Sequence, residues 1–274
     1  MMEEMPDVPI VMSFAGNDPS GGAGIVADIE TLACMGCHCT PVITALTVQD
    51  TLNMSRFDVV DSDLLIEQAR AVLEDMPVSC FKIGMLGSEE AVAAIHTIIA
   101  DYPGIPVVLD PILRAGGGTE MADEDLIDAM MALLFPLTTV LTPNSQEARR
   151  LAHEADSLDA CAHELMDMGC EYVLVTGTHE TTPEVVNTLY GNKRMLERFN
   201  WGRLPDSYHG SGCTLASAIA GMLGHGVEPF AAIHDAQEFT WESLKNGYRL
   251  GMGQHVPNRF FWARGEDDDE SQSK

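Results

Sequence analysis

Short apolar runs alternate with amphipathic stretches along most of this chain, and that alternation limits the fold more than any single motif does. IVMSFAG (10–16), TPVITALTVQ (40–49), CFKIGML (80–86), PVVLDPI (106–112), TTVLTPN (138–144) and YVLVTG (172–177) each read as a buried strand. Helical patterns lie between them. GGAGIVADIETLACMG places Ile25, Ile29, Leu32 and Ala33 at helical spacing and stops at Gly36. DLLIEQARAVLEDM (63–76) has Asp61, Ser62 or Asp63 to cap it, and SEEAVAAIHTIIADYP has Ser88. DEDLIDAMMALLFP and SLDACAHELMDMG (157–169) follow. EVVNTLYG and RMLERFNW read as a β-hairpin around Gly191-Asn192, before the helices of HGSGCTLASAIAG (209–221) and PFAAIHDAQEFTWESLKNGY. Strands of this kind, spaced by helices of about ten to fifteen residues, imply an α/β fold: a mostly parallel central sheet with helices on both faces. Ligands of such sheets bind beyond the carboxyl ends of the strands.

No linker or internal repeat breaks the pattern, so one domain is expected over 1–262. The end, ARGEDDDESQSK, carries five acids and reads as an acidic disordered tail, 263–274. The formal net charge of −27 argues against nucleic acid and against an anionic membrane, since both need a basic face. A phosphorylated small molecule needs only a local positive site and stays open. No run approaches the ~20 apolar residues of a membrane span, and the start MMEEMPDVP lacks the apolar core of a signal peptide. Seven cysteines scattered through apolar segments fit a reduced, cytoplasmic protein.

Several motifs nearly match. GNDPSGG (16–22) has the glycine spacing of a P-loop, but Ala23-Gly24 stands where its Lys-Ser/Thr belongs. Gly22-x-Gly24-x-x-Ala27 fits a dinucleotide fingerprint but lies five residues from its strand. CMGCH (34–38) spells a haem-attachment motif. It also closes an amphipathic helix, where Cys34 and Cys37 pack as small hydrophobes, and no second cluster joins Cys39 to complete a zinc site.

Three features agree better. In GSGC, Gly210 and Gly212 let the backbone curl its N–H groups around an anion at a helix start, although Ser211 could equally be a plain helix cap. In TPNSQEA (142–148), Asn144 and Glu147 suit a Mg²⁺ that keeps most of its waters, or else form a capping interaction. In the N-terminal cluster, Asp28 follows the glycine-rich turn, and Gln49 ends a strand with one acceptor and two donors, enough to read an aminopyrimidine edge.

SFAGNDPSGGAGIVADIETLACMG, VITALTVQDT, KIGML, VVLDPI, TPNSQEA and HGSGCTLASAIA, in this order, resemble the hydroxymethylpyrimidine kinase/phosphomethylpyrimidine kinase family of thiamine biosynthesis, within the ribokinase superfamily. The resemblance implies a ribokinase-like fold, ATP and Mg²⁺. It implies two successive phosphorylations, of 4-amino-5-hydroxymethyl-2-methylpyrimidine to its monophosphate and then its diphosphate. By position, Gln49 binds the pyrimidine, and Gly16, Asp28, Met85 and Ile112 wall the pocket. Asp110, Asn144 and Glu147 serve metal and phosphates, with Asp110 and Glu147 as metal ligands. Thr176 and Gly177 lie against the nucleotide phosphates. Gly210, Ser211, Gly212 and Cys213 form the anion hole and catalytic turn. It also implies a homodimer.

Sugar kinases of the superfamily carry Asp, as general base, where Cys213 stands. A phosphomonoester acceptor needs no base, and a fixed carboxylate would repel it by about 4 kcal/mol at ~4 Å and an effective dielectric of 20. A thiol at a helix start, with a lowered pKa, would act as base when needed and otherwise stay neutral. Two lysines common in the family are absent: Thr176 replaces one, and the loop after VLDPI reads RAGGG. Arg114 is the first candidate to meet phosphate charge, with Lys82 and Mg²⁺ after it. The rival readings are a pyridoxal/pyridoxine kinase and a catalytically weak pyrimidine-binding protein on the same fold.

Overall fold

The computed structural model describes residues 8–263. After Ala263, the acidic tail expected at 263–274 lies outside the described residues, as does the segment before residue 8. Nine strands form one sheet: β1 (Ile10–Asn17), β2 (His38–Gln49), β3 (Met54–Val59), β4 (Val78–Ile83), β5 (Val107–Leu109), β6 (Val140–Leu141), β7 (Tyr172–Val175), β8 (Glu184–Gly191) and β9 (Arg194–Gly202). Their order across the sheet is β3-β2-β1-β4-β5-β6-β7-β8-β9. The pairs from β2 through β7 are parallel, and β3, β8 and β9 join antiparallel.

The eight helices are α1 (Gly24–Cys34), α2 (Ser62–Leu73), α3 (Glu89–Ala100), α4 (Glu124–Leu133), α5 (Ser145–Leu151), α6 (Leu158–Asp167), α7 (Ser211–Gly224) and α8 (Pro229–Lys245), counted among the described residues. Strand periodicity sorts the core into two layers. Met12, Phe14, Phe81, Ile83, Leu109, Leu141 and Val173 face one way and pack under α2 to α6. Their neighbours Val11, Cys80, Val108, Val140 and Leu174 face the other way, under α1, α7 and α8. Successive side chains of a strand point to opposite faces, so strands apolar at every position demand helices on both sides. Asp61 and Ser88 accept main-chain N–H bonds at the starts of α2 and α3.

Three expectations shift. The strands expected at 106–112 and 138–144 are only three and two residues long. Pro111 and Pro143 have no N–H to continue a ladder, so the chain leaves the sheet at Asp110 and Thr142. The hairpin turns at Asn192-Lys193 (φ 51° and 56°), one residue later than expected, as a two-residue connection whose positive φ values match strand twist. β3 was not expected. MSRFDV alternates weakly because it lies at the sheet edge, where only Met54 is buried. Of the CMGCH cysteines, Cys37 joins the α7–α8 layer; all seven cysteines are free, and no group of three or more His, Cys, Asp or Glu side chains placed to hold a metal occurs among the described residues.

Candidate active site

Strand order lays out one cleft across the carboxyl edge of the sheet, at the point where the chain order reverses between β1 and β4. Its volume is about 490 Å³. Gly16, Gln49, Met85 and Ile112 line one end, off β1, β2, β4 and β5. Asp110, Asn144 and Glu147, off β5 and β6, lie midway with Gly210, Ser211, Gly212 and Cys213. Thr176, Asn187, Trp201 and Arg203, off β7 to β9, line the other end. Neighbouring strands lie about 4.8 Å apart, so the two ends are separated by the width of several strands.

α7 begins without a side-chain cap. Gly210, not Ser211, is the N-cap residue, left-handed at φ 87°. A side chain there would be strained, and its Cβ would meet the Gly22 carbonyl at 2.0 Å, so two glycine turns pack back to back. Around them, Asp18 accepts from Ala23 N–H at 2.8 Å and Ser20 N–H at 2.8 Å, and contacts His209 Nε2 at 2.8 Å. Burial pushes the Asp18 carboxyl up, but the His209 and Ser20 contacts outweigh it and hold the carboxyl below its ordinary value. Arg259 reaches in from the C-terminal segment, donating to Gly22 O at 2.6 Å, Thr214 Oγ1 at 3.0 Å and Glu30 Oε2 at 2.9 Å. The free N–H groups at the α7 start thus sit on a braced turn, facing the cleft with the dipole's positive end.

Opposite lie two carboxylates. Asn144 and Glu147 form a capping box at α5: Asn144 Oδ1 accepts from Gln146 N–H and Glu147 N–H, and Glu147 Oε2 accepts from Asn144 N–H at 2.9 Å. The capping and metal readings are therefore not exclusive, since the cap holds Glu147 in the cleft. Burial, then the charge of Asp110, pushes Glu147 up to about 8. Burial also pushes Asp110 up to about 6, against the pull of Lys82. Two oxygen-donor acids that resist ionisation beside each other fit a hard divalent cation completed by water and phosphate oxygens.

Beneath the turn, Lys82 Nζ and Asp28 meet at 2.9 Å, both side chains fully buried. Ser13 and Ser217 donate to Asp28 at 2.6 and 2.7 Å. Burial opposes the charge of Lys82, but Asp28 first, then Cys213 and Asp110, overcome it and raise its pKa. Asp28 therefore does not wall the pocket as expected: it points under α7, where Lys82 holds it. Cys213 lies between this network and the cleft, and burial pushes its thiol up to about 12. The lowered pKa expected at a helix start is not found, because desolvation of the thiolate outweighs the dipole and Lys82.

The phosphomethylpyrimidine kinase family model matches residues 18–258. The chain belongs to that family. It is 37% identical over 258 residues to the hydroxymethylpyrimidine/phosphomethylpyrimidine kinase of Mycobacterium tuberculosis, covering 91% of this chain and 92% of the relative. The phosphomethylpyrimidine kinase structure from Clostridium difficile superposes with TM-score 0.74 at 29% identity, over 85% of this chain and 97% of that one. The pyridoxal kinase of Staphylococcus aureus, in complex with AMP-PCP and pyridoxal, superposes with TM-score 0.84 at 26% identity, over 94% and 95%. The fold is ribokinase-like.

As a phosphomethylpyrimidine kinase family member, the chain departs from expectation in its cations. Arg114 lines the cleft, but Glu120 holds it at 2.5 Å, and Lys82 is sealed beneath the site. Thr176 faces the cleft. Gly177 does not: its N–H donates to Asn187 Oδ1, and a side chain there would meet the Val186 carbonyl at 2.1 Å. Sequence reasoning missed a polar group at the far end, where Gln237 Oε1 accepts from Asn187 Nδ2 at 2.9 Å and Trp201 Nε1 at 3.2 Å. It also missed Arg203 and Gln254 in the lining. The available signal was a buried amide within a strand pattern, Asn187 in EVVNTLYG.

Proposed function

We propose that this protein transfers the γ-phosphoryl group of ATP to the hydroxymethyl of 4-amino-5-hydroxymethyl-2-methylpyrimidine, and then phosphorylates the monophosphate to the diphosphate, for thiamine biosynthesis. The observation that carries this reading is the uncapped start of α7, at Gly210 to Cys213, sharing one cleft with Asp110 and Glu147.

Gln49 has no protein partner for its side-chain amide among the described residues, and reads the aminopyrimidine edge at the β1–β2 end. Gly16, Met85 and Ile112 enclose the ring. The N–H groups of 211–213 stabilise charge on the phosphoryl group in flight. Asp110 and Glu147 would hold Mg²⁺, with Asn144 fixing Glu147 through the capping box; when bound, the metal neutralises phosphate charge. Phosphoryl transfer depends mainly on positioning and electrostatics. A neutral Cys213 therefore suffices as a spacer, and it adds no charge to oppose the monophosphate of the second step. Thr176 borders the nucleotide phosphates. Homodimer formation belongs to this reading; Leu46 and Val48, each 52% exposed on one face of β2, suit such a contact. So does a cytoplasmic location; no helix among the described residues is long and apolar enough to cross a membrane.

A pyridoxal kinase is the second reading, favoured by the higher TM-score to the Staphylococcus aureus enzyme. Mass spectrometry of products from Mg-ATP with each acceptor separates the two. The first reading expects pyrimidine mono- and diphosphate; pyridoxal phosphate alone would replace it with the second, and no product from either acceptor would remove both.

A further inference from the structure

A nucleotide triphosphate must find positive charge in a protein whose net charge is −27. Arg114 and Arg203 are the two arginines lining the cleft, and no lysine lines it. Glu120 neutralises Arg114. Arg203 makes no ion pair among the described residues. Instead its three nitrogens each donate to a main-chain carbonyl of the loop after β7: Nη1 to Thr178 at 2.9 Å, Nη2 to Glu180 at 2.8 Å and Nε to Thr182 at 3.0 Å. Carbonyls orient a guanidinium without cancelling its charge, and three bonds leave two of its five N–H donors free. An exposed arginine normally spends its freedom in solvent. Here that entropy is already lost, so its charge is preorganised.

The loop that holds Arg203 also abuts the site. The Thr176 carbonyl accepts from Ser145 N–H at 3.0 Å, at the first turn of α5 and beside Asn144 and Glu147. Arg149 of that helix binds Glu180 at 2.8 Å. Three main-chain carbonyls thus hold a guanidinium that makes no ion pair among the described residues against the loop next to the carboxylates, at the end of the cleft away from Gln49.

We propose that Arg203 binds the polyphosphate of the nucleotide, supplying from the end of β9 the cation that Thr176 does not. The proposal rests on the kinase reading and is tested apart from it by binding alone. Affinities of adenosine, ADP and ATP are titrated on the wild-type protein and on Arg203→Gln and Arg203→Lys. Loss of a charge-assisted contact should weaken ADP and ATP in Arg203→Gln by roughly tenfold or more, with adenosine unchanged. Arg203→Lys keeps the charge but not the fork, and should preserve most of the preference for ADP over adenosine. Equal weakening of adenosine and ADP would mean that Arg203 only scaffolds the loop and would overturn the proposal. Unchanged ADP and ATP affinity in Arg203→Gln would overturn it as well. Failure of the kinase reading shows separately, as absence of phosphorylated product from the wild-type protein.

Discussion

The Gly210 backbone packs so closely on the Gly22 carbonyl that a Cβ on Gly210 would lie 2.0 Å from that oxygen. Residues 188 positions apart therefore set each other's conformation, and the N–H groups at the start of α7 point where this contact places them. Gly210→Ala should push the two turns apart and strain a φ of 87°. The expected loss in kcat is about 10²-fold or more, as for removal of a donor to a developing anion. The melting temperature should fall as well, because the clash is with backbone and the φ is one that L side chains rarely adopt. Steady-state kinetics beside thermal unfolding checks this.

Asp110 and Glu147 predict an inverse pH dependence. Both are raised, to about 6 and about 8, so the folded state holds protons that the unfolded chain has already released. The stability of the metal-free protein should then fall as pH rises from the ordinary carboxyl range to about 8, where Glu147 ionises in the folded state. Mg²⁺ should raise the melting temperature more at pH 8.5 than at pH 5.5, a comparison that takes its range from the two values just given. Glu147→Gln keeps a capping-box side chain but removes the charge. It should stabilise the metal-free protein at high pH while weakening the Mg²⁺ response and lowering kcat.

Lys82 and Asp28 are fully buried, and removing one partner leaves a charge without compensation. Lys82→Met should cost about 3–5 kcal/mol in unfolding free energy. The double variant Lys82→Met with Asp28→Leu should recover much of that loss, because no isolated charge remains. Denaturant titration of the single and double variants measures the coupling.

Cys213 stays protonated near neutral pH, its thiol pushed up to about 12. On the proposed function, its contribution is neutrality and size. Cys213→Ala should retain most of the first phosphorylation, within about tenfold, since a group off the proton path contributes little. Cys213→Asp adds a third acid to Asp110 and Glu147 and should accumulate monophosphate, because repulsion falls on the charged acceptor. The mono- to diphosphate ratio reads this directly, and an equal loss of both steps would refute it.

The sequence by itself determined the parallel sheet, its two helical layers and the functional turns at the carboxyl edge. Those features follow from local periodicity and from glycine, proline and capping chemistry, which neighbours in sequence express. The capping box at Asn144 and Glu147 was legible for that reason. β3 was not, because an exposed edge strand needs no apolar pattern. Tertiary structure alone decided that Arg259 braces Gly22 and Thr214, that Arg114 is held by Glu120 while Arg203 is held by main-chain carbonyls and makes no ion pair among the described residues, and that Asp28 turns under α7 to meet Lys82. It also reversed the expected pKa of Cys213. Burial and long-range pairing fix the cost of a charge, and neither is a property of any short stretch of chain.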